Sequence, residues 1–331
     1  MKIIAQIIIA CCCFFSSAQH LQEKTIQKDS IIIIKKQPEK GFYSDYILFL
    51  PKETPLNKKL FLLVEPNNTG RPSDSMSVHE KHAINLASVS SVGNNIATML
   101  KIPLLVPVFP RPAVQPLVYS HALDRDVMLE KTPELHRLDL QLLAMINDAK
   151  TILDTLHIVT HNKIFMNGFS ASATFTNRFS FLHPDKIEAL AMGGFNGELM
   201  LPKSTINGVP LNYPIGINDF SKLFKQSFDM TTYKRIPQFI YMGKLDNNDA
   251  VQFDDAYSNS ERHIINKNIG ATVQNRYIHC QQWYHAFNIN ATFNTYENVG
   301  HWTTGEVNFE VIKFFFAQMQ KPLSNSTKKL Q

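Results

Sequence analysis

Ile164-Phe165-Met166-Asn167-Gly168-Phe169-Ser170-Ala171-Ser172-Ala173 is the stretch on which the reading of this chain turns. An apolar run passes through a turn of small residues into a segment of helical character. At such a junction the strand and the following helix pass very close, so the residues two before and two after the central serine must be small. Gly168 meets the first requirement; Ser172 stands where glycine is usual and is among the few other residues small enough. A serine in this position sits on a sharp elbow with its hydroxyl lifted clear of the sheet. The bare pattern is unspecific, and serine is also a favoured helix N-cap. Its weight comes from the strand before it and the helix after it.

A serine hydroxyl is a poor nucleophile until a base takes its proton, so the elbow calls for a histidine and an acid that orients it. In this architecture they follow in the order Ser, Asp, His, each just after a later strand. The apolar run 238–242 leads into Gly243-Lys244-Leu245-Asp246, and 292–298 into Val299-Gly300-His301-Trp302. The three positions are 76 and 55 residues apart, so only folding brings them together. Asp249 is the alternative acid. Asp254 and Asp255 also lie close by, in a segment whose Asn and Asp content equally suits an ordinary turn.

Outward from the elbow, β-rich apolar runs alternate with helical periodicity, the pattern of a mostly parallel α/β sheet. The runs at 31–34 and 46–50 read as an opening antiparallel hairpin. Those at 60–64, 104–108, 163–167, 187–192, 238–242 and 292–298 complete eight candidate strands. Leu142, Met145, Ile146, Ala149, Ile152, Leu153 and Leu156 recur at the spacing of one buried helix face. A second helix is expected over 171–182, stopped by His183-Pro184, and a closing one over 307–319. Residues 197–235, with Pro202, Gly208, Pro210, Pro214 and Gly216, break the alternation and are expected to form an inserted cap or long loop. The tail 320–331 is polar.

On these residues the sequence resembles the α/β-hydrolases, within the esterase and polyhydroxybutyrate-depolymerase-like branch. The resemblance spans roughly 40–318. It rests on the opening strand at 46–51, the Gly168–Ser172 elbow, the helix exit His183-Pro184-Asp185-Lys186, the Gly-x-x-Asp at 243–246 and the Gly-His at 300–301. It implies an eight-stranded, mostly parallel sheet flanked by helices. It also implies Ser170 as nucleophile, His301 as general base and Asp246 as the acid that fixes the imidazole tautomer. Acyl transfer needs donors aimed at the developing oxyanion as well. The backbone N–H of Ala171 is the first candidate. The second is expected from Glu65-Pro66-Asn67-Asn68-Thr69-Gly70, which departs from the His-Gly of many relatives; Asn67 or Asn68 is the candidate, since Pro66 cannot donate.

The 331 residues fit one large domain or two ordinary ones, and with 44% hydrophobic content and a net charge of +5 they exclude disorder over most of the chain. The scattered positive charge gives no ground for nucleic-acid binding. Residues 1–18 read as a secretory leader: Met-Lys, an apolar run from Ile3 to Phe15 broken only by Gln6, then Ser16-Ser17-Ala18 as a cleavage signal. The run is short for a membrane span. Lipidation at Cys11, after Ile8-Ile9-Ala10, is the alternative, although Cys12 to Phe15 continue the apolar run. Three of the four cysteines would leave with the leader, and Cys280 alone forms no disulfide within the chain.

Other clusters carry less. His79-Glu80-Lys81-His82 places its histidines three apart, not the four that a zinc-binding helix face requires. His279, Cys280 and His285 lack a completing ligand. The loop His121-Ala122-Leu123-Asp124-Arg125-Asp126 is either a substrate contact or a salt-bridged loop. The expectation is an exported serine hydrolase of a carboxylic ester, small-molecule or polymeric, working through an acyl-enzyme without metal or organic cofactor. The alternatives are a peptidase using the same triad and a non-catalytic binding or scaffold protein on a hydrolase fold. Residues 107–137 and 197–235 are expected to shape the substrate pocket.

Overall fold

Eight strands form one sheet: β1 (Ser30–Ile34), β2 (Tyr46–Leu50), β3 (Leu63–Val64), β4 (Leu104–Pro107), β5 (Ile164–Phe169), β6 (Ile187–Gly193), β7 (Gln238–Gly243) and β8 (Ala291–Tyr296). Their order across the sheet is β1-β2-β4-β3-β5-β6-β7-β8. β2 runs antiparallel to both β1 and β4, and every other pair is parallel. The structure is a computed structural model describing residues 24–321. The expected leader with Cys11, and 322–331 of the polar tail, lie outside the described residues.

The central strands are apolar at almost every position because helices cover both faces of the sheet. The principal helices are α1 (Met76–Ser88), α2 (Val92–Leu100), α3 (Leu138–Thr155), α4 (Ala171–Leu182), α5 (Asn259–Asn268), α6 (Val273–Ala286) and α7 (Gly305–Met319). Helices α2 and α7 pack together on one face, where Phe314 and Phe315 of α7 meet Phe239 of β7 and Phe165 of β5. Helices α3, α4 and α6 cover the other: the Tyr46 hydroxyl donates to Asp148 of α3, and Tyr277 of α6 lies edge-on to Phe293. Among the described residues no helix is long and apolar enough to cross a membrane.

All eight expected strands are found, one with a break. The run 60–64 is interrupted: Lys59 and Leu60 pair with Val159 and Thr160, whereas Leu63 and Val64 pair with Phe165 and Met166. The partner numbering jumps by two because residues 161–163 turn out of the ladder between the His161 N–H bond to Leu60 O and the Phe165 N–H bond to Leu62 O.

The segment 197–235 contributes no residue to the walls of the two spaces that adjoin Ser170. It folds into a hairpin (Thr205–Ile206 with Val209–Pro210) and two short helices (Phe220–Phe224 and Met230–Tyr233). Phe228 and Tyr233 pack on Phe181 near the end of α4, and the Met200 N–H donates to Asn177 of the same helix. Phe228 and Tyr233 thus hold one part of the segment at the end of α4 remote from Ser170, while Tyr213 donates to the Leu123 carbonyl and Glu198 accepts from Tyr257. Pro and Gly marked it as an insertion but carried no information about which end of the sheet it would meet.

Candidate active site

β5 delivers Ser170 and α4 begins at once behind it. The turn requires Ser170 at φ 61°, ψ −129°, a conformation that L-residues other than glycine rarely adopt. A Cβ on Gly168 would lie 2.3 Å from the Ser172 carbonyl oxygen, so the first small position is enforced by backbone. Ser172 is tolerated at the other because its side chain turns back onto Phe169.

The two later loops are locked to each other. A Cβ on Gly243 would lie 2.2 Å from Val299 O and 2.5 Å from Gly300 O, so glycine allows the loop after β8 to rest on the end of β7. The Leu245 N–H then bonds Val299 O at 2.9 Å. This contact brings Asp246, 3% exposed, against the His301 ring. His301 Nδ1 lies 3.0 and 3.2 Å from the two Asp246 oxygens, and Nε2 lies 3.0 Å from Ser170 Oγ. A carboxylate partner makes Nδ1 the N–H bearer and leaves the Nε2 lone pair facing the serine hydroxyl.

The remaining carboxylates point elsewhere. Asp249 pairs with the buried Arg276 guanidinium and accepts from the Val251 N–H. Asp254 pairs with Arg262, and Asp255 with Arg111 at 2.6 Å.

No protein-family model matches the chain, and no curated protein matches it in sequence. Solved structures do match along most of their length. Poly(aspartic acid) hydrolase-1 from Sphingomonas sp. KT-1 superposes with a TM-score of 0.56 at 14% identity, covering 89% of this chain and 98% of that one. A poly(3-hydroxybutyrate) depolymerase from Bordetella parapertussis gives 0.52 at 13% identity, covering 89% and 92%. An S-formylglutathione hydrolase from Agrobacterium tumefaciens gives 0.51 at 10%, covering 90% and 97%. The chain has the α/β-hydrolase fold. At these identities the likeness is one of architecture.

In α/β-hydrolase terms, Ala171 occupies the first turn of α4, where backbone N–H groups lack partners within the helix. The two asparagines of the 65–70 loop separate sharply. Asn67 is fully buried and clasps the Phe109 peptide, donating to its carbonyl at 2.9 Å and accepting from its N–H at 3.1 Å. Its side chain is thus spent on structure. Asn68 lines the open cleft beside Ser170 and His301.

His121, expected as either a substrate contact or part of a salt-bridged loop, is buried beneath the 65–70 loop. Its Nδ1 accepts from the Thr69 N–H at 3.3 Å, and its Nε2 donates to Phe109 O at 2.9 Å. Burial pushes it down to about 3, so the ring is neutral. Asp124 caps the short helix Arg125–Leu129, and burial pushes its carboxyl up to about 7. Of that stretch, Ala122 reaches the site, together with the preceding Tyr119.

Asn248 escaped the sequence reading. Its Nδ2 lies 3.0 Å from His301 Nε2, and its N–H bonds Asp246 Oδ1 at 3.0 Å. The signal for it is only its place two residues after the acid. His79 is buried and held by Thr69 and Ser73, and Cys280 is buried against Leu199.

Proposed function

We propose that this protein is a serine hydrolase that cleaves a carboxylic ester by way of an acyl-enzyme. The observation that carries the reading is the unbroken chain Ser170 Oγ, His301 Nε2, His301 Nδ1, Asp246, with each link at about 3.0 Å. The solved structures it resembles are hydrolases and a depolymerase, which agrees with this reading.

Ser170 Oγ adds to the ester carbonyl carbon while its proton passes to His301 Nε2. The carbonyl oxygen takes the negative charge and is met by the Ala171 N–H, with a second donor from the Asn68 region. Collapse of the tetrahedral intermediate breaks the C–O bond, and the His301 proton leaves with the alcohol. Water, deprotonated by His301, then repeats the addition and releases the acid and Ser170. Asp246 stabilises the imidazolium at both stages. No step needs a cofactor. The leader-like sequence of residues 1–18 supports a reading of export, with lipidation at Cys11 as the alternative fate; the mass of the protein recovered from the producing cell separates the two.

Ser170→Ala is expected to abolish turnover of a short-chain aryl ester while far-ultraviolet circular dichroism stays unchanged. Retention of more than about a tenth of the wild-type rate overturns the assignment, since loss of a triad member typically costs several powers of ten. A fluorophosphonate probe that leaves Ser170 unlabelled favours the non-catalytic scaffold.

A further inference from the structure

Two spaces of very different size meet at Ser170. One is a narrow recess of about 30 Å³ that starts at Ala171 and runs between Ala122, Thr174 and Ala256. The other is an open cleft of about 750 Å³ with His301 and Asn68 on its walls. Each half of a bound ester must occupy one of them. The leaving oxygen has to lie within reach of His301, which protonates it. His301 lines the cleft and is absent from the residues lining the recess. The alcohol therefore lies in the cleft, and the acyl substituent is left with the recess.

The depth of that recess is set by an interlocked base. Arg178, 1% exposed, donates to the Ala122 carbonyl at 2.9 Å and to the Tyr257 hydroxyl at 2.8 Å. Tyr257 in turn donates to the buried Glu198 carboxylate at 2.5 Å. Lengthening the pocket means displacing a buried guanidinium from charge-assisted bonds, which costs far more than an extra methylene returns. A single water needs roughly 10–15 Å³ of such space, so the recess takes about two non-hydrogen atoms. The cleft, by contrast, falls within the usual range of roughly 300–1,000 Å³ for a whole ligand. Exposed Leu117 and Phe253 form apolar parts of its wall, with Asp254 and Asp255 beside them.

Building on the serine-hydrolase reading, we infer that the enzyme is selective for acetyl- and propionyl-sized acyl groups carried on a large alcohol. Arg178 and Tyr257 are the residues that close the acyl pocket. The test is a series of 4-nitrophenyl esters from acetyl to octanoyl on the wild-type protein, together with phenyl acetate and 1-naphthyl acetate, and with fluorophosphonate labelling of Ser170 run in parallel. The expected result is a fall in kcat/KM of at least about tenfold between propionyl and hexanoyl. Enlarging the leaving group from phenyl to naphthyl, with acetyl held fixed, leaves kcat/KM of the same order. Activity that is level or rising out to hexanoyl, with Ser170 labelled, overturns the acyl-pocket assignment and spares the hydrolase reading. Absence of turnover of the acetyl ester overturns it as well; an unlabelled Ser170 in that case takes the hydrolase reading with it.

Discussion

Ser172 Oγ accepts a hydrogen bond from the Phe169 N–H at 2.9 Å and donates one to the Phe169 carbonyl at 2.8 Å. The residue that departs from the usual glycine of the elbow is therefore the one that clasps it. Ser172→Gly removes both bonds from a site 2% exposed, and each is worth roughly 0.5–1.5 kcal/mol. The variant is expected to lose about 1–3 kcal/mol of stability in urea denaturation. An unchanged midpoint and slope would mean that the clasp is idle.

Ser170 itself holds a backbone conformation that costs a side-chain-bearing residue about 1–3 kcal/mol, whereas glycine adopts it freely. Two inactive variants read this cost directly. Ser170→Gly is expected to be more stable than Ser170→Ala by about 1 kcal/mol, after allowing for the greater freedom of glycine in the unfolded chain. Equal stabilities by thermal and urea denaturation would show an unstrained elbow.

The acid can be assigned by a matched pair of amide substitutions. Asp246→Asn keeps the shape but favours the wrong imidazole tautomer, a change that costs on the order of 10⁴ in kcat in a Ser-His-Asp triad. Asp249→Asn leaves the fully buried Arg276 without its carboxylate. It is expected to cost a few kcal/mol of stability while leaving kcat of the folded enzyme the same order. The reverse pattern in paired kinetics and denaturation would move the role to Asp249.

Glu65 makes stability depend on pH. Buried at the end of β3, it accepts from Asn167 Nδ2 and Ser91 Oγ, both at 3.2 Å. Burial raises its carboxyl from 4.5 to about 7. Between those values the folded state keeps a proton that the unfolded chain has released. Its contribution is full below about pH 4.5 and is lost as pH rises through about 7. His121, lowered from 6.5 to about 3, acts in the opposite sense: its contribution is full above pH 6.5 and lost as pH falls through about 3. The stability of wild type relative to Glu65→Gln is expected to fall by on the order of 3 kcal/mol from pH 4.5 to 8. Urea titrations at a series of pH values measure it, and a constant difference contradicts the expectation.

The strands were legible because each central one is buried on both faces and so reads as a continuous apolar run. The elbow and the two later loops were legible because glycines at 168 and 243 are demanded by backbone contacts of about 2.2–2.3 Å to an added Cβ, a constraint that writes itself into sequence. What stayed hidden depends on long-range partners. Nothing local distinguishes Asn67, turned inward to the Phe109 peptide, from Asn68, facing the cleft. Asp249 was separable from Asp246 only once Arg276, from a later helix, came to meet it. The site wall built by 248–257 in place of 197–235 is hidden for the same reason: Asn248, Ala250, Ala256 and Tyr257 line the recess through packing that no periodicity announces.

The three site residues do not hang from equally secure strands. β5 and β7 each lie between two neighbours, whereas β8, which leads into the His301 loop, is the last strand of the sheet and pairs with β7 alone. Peeling β8 from that edge carries the base away from Ser170 while the nucleophile, its elbow and the interior of the sheet stay in place. What holds His301 opposite Ser170 is therefore the β7–β8 ladder together with the bonds beside it, from Leu245 N–H to Val299 O, from Tyr277 to Asn294 O and from Asn294 and Tyr296 to Glu310 of α7.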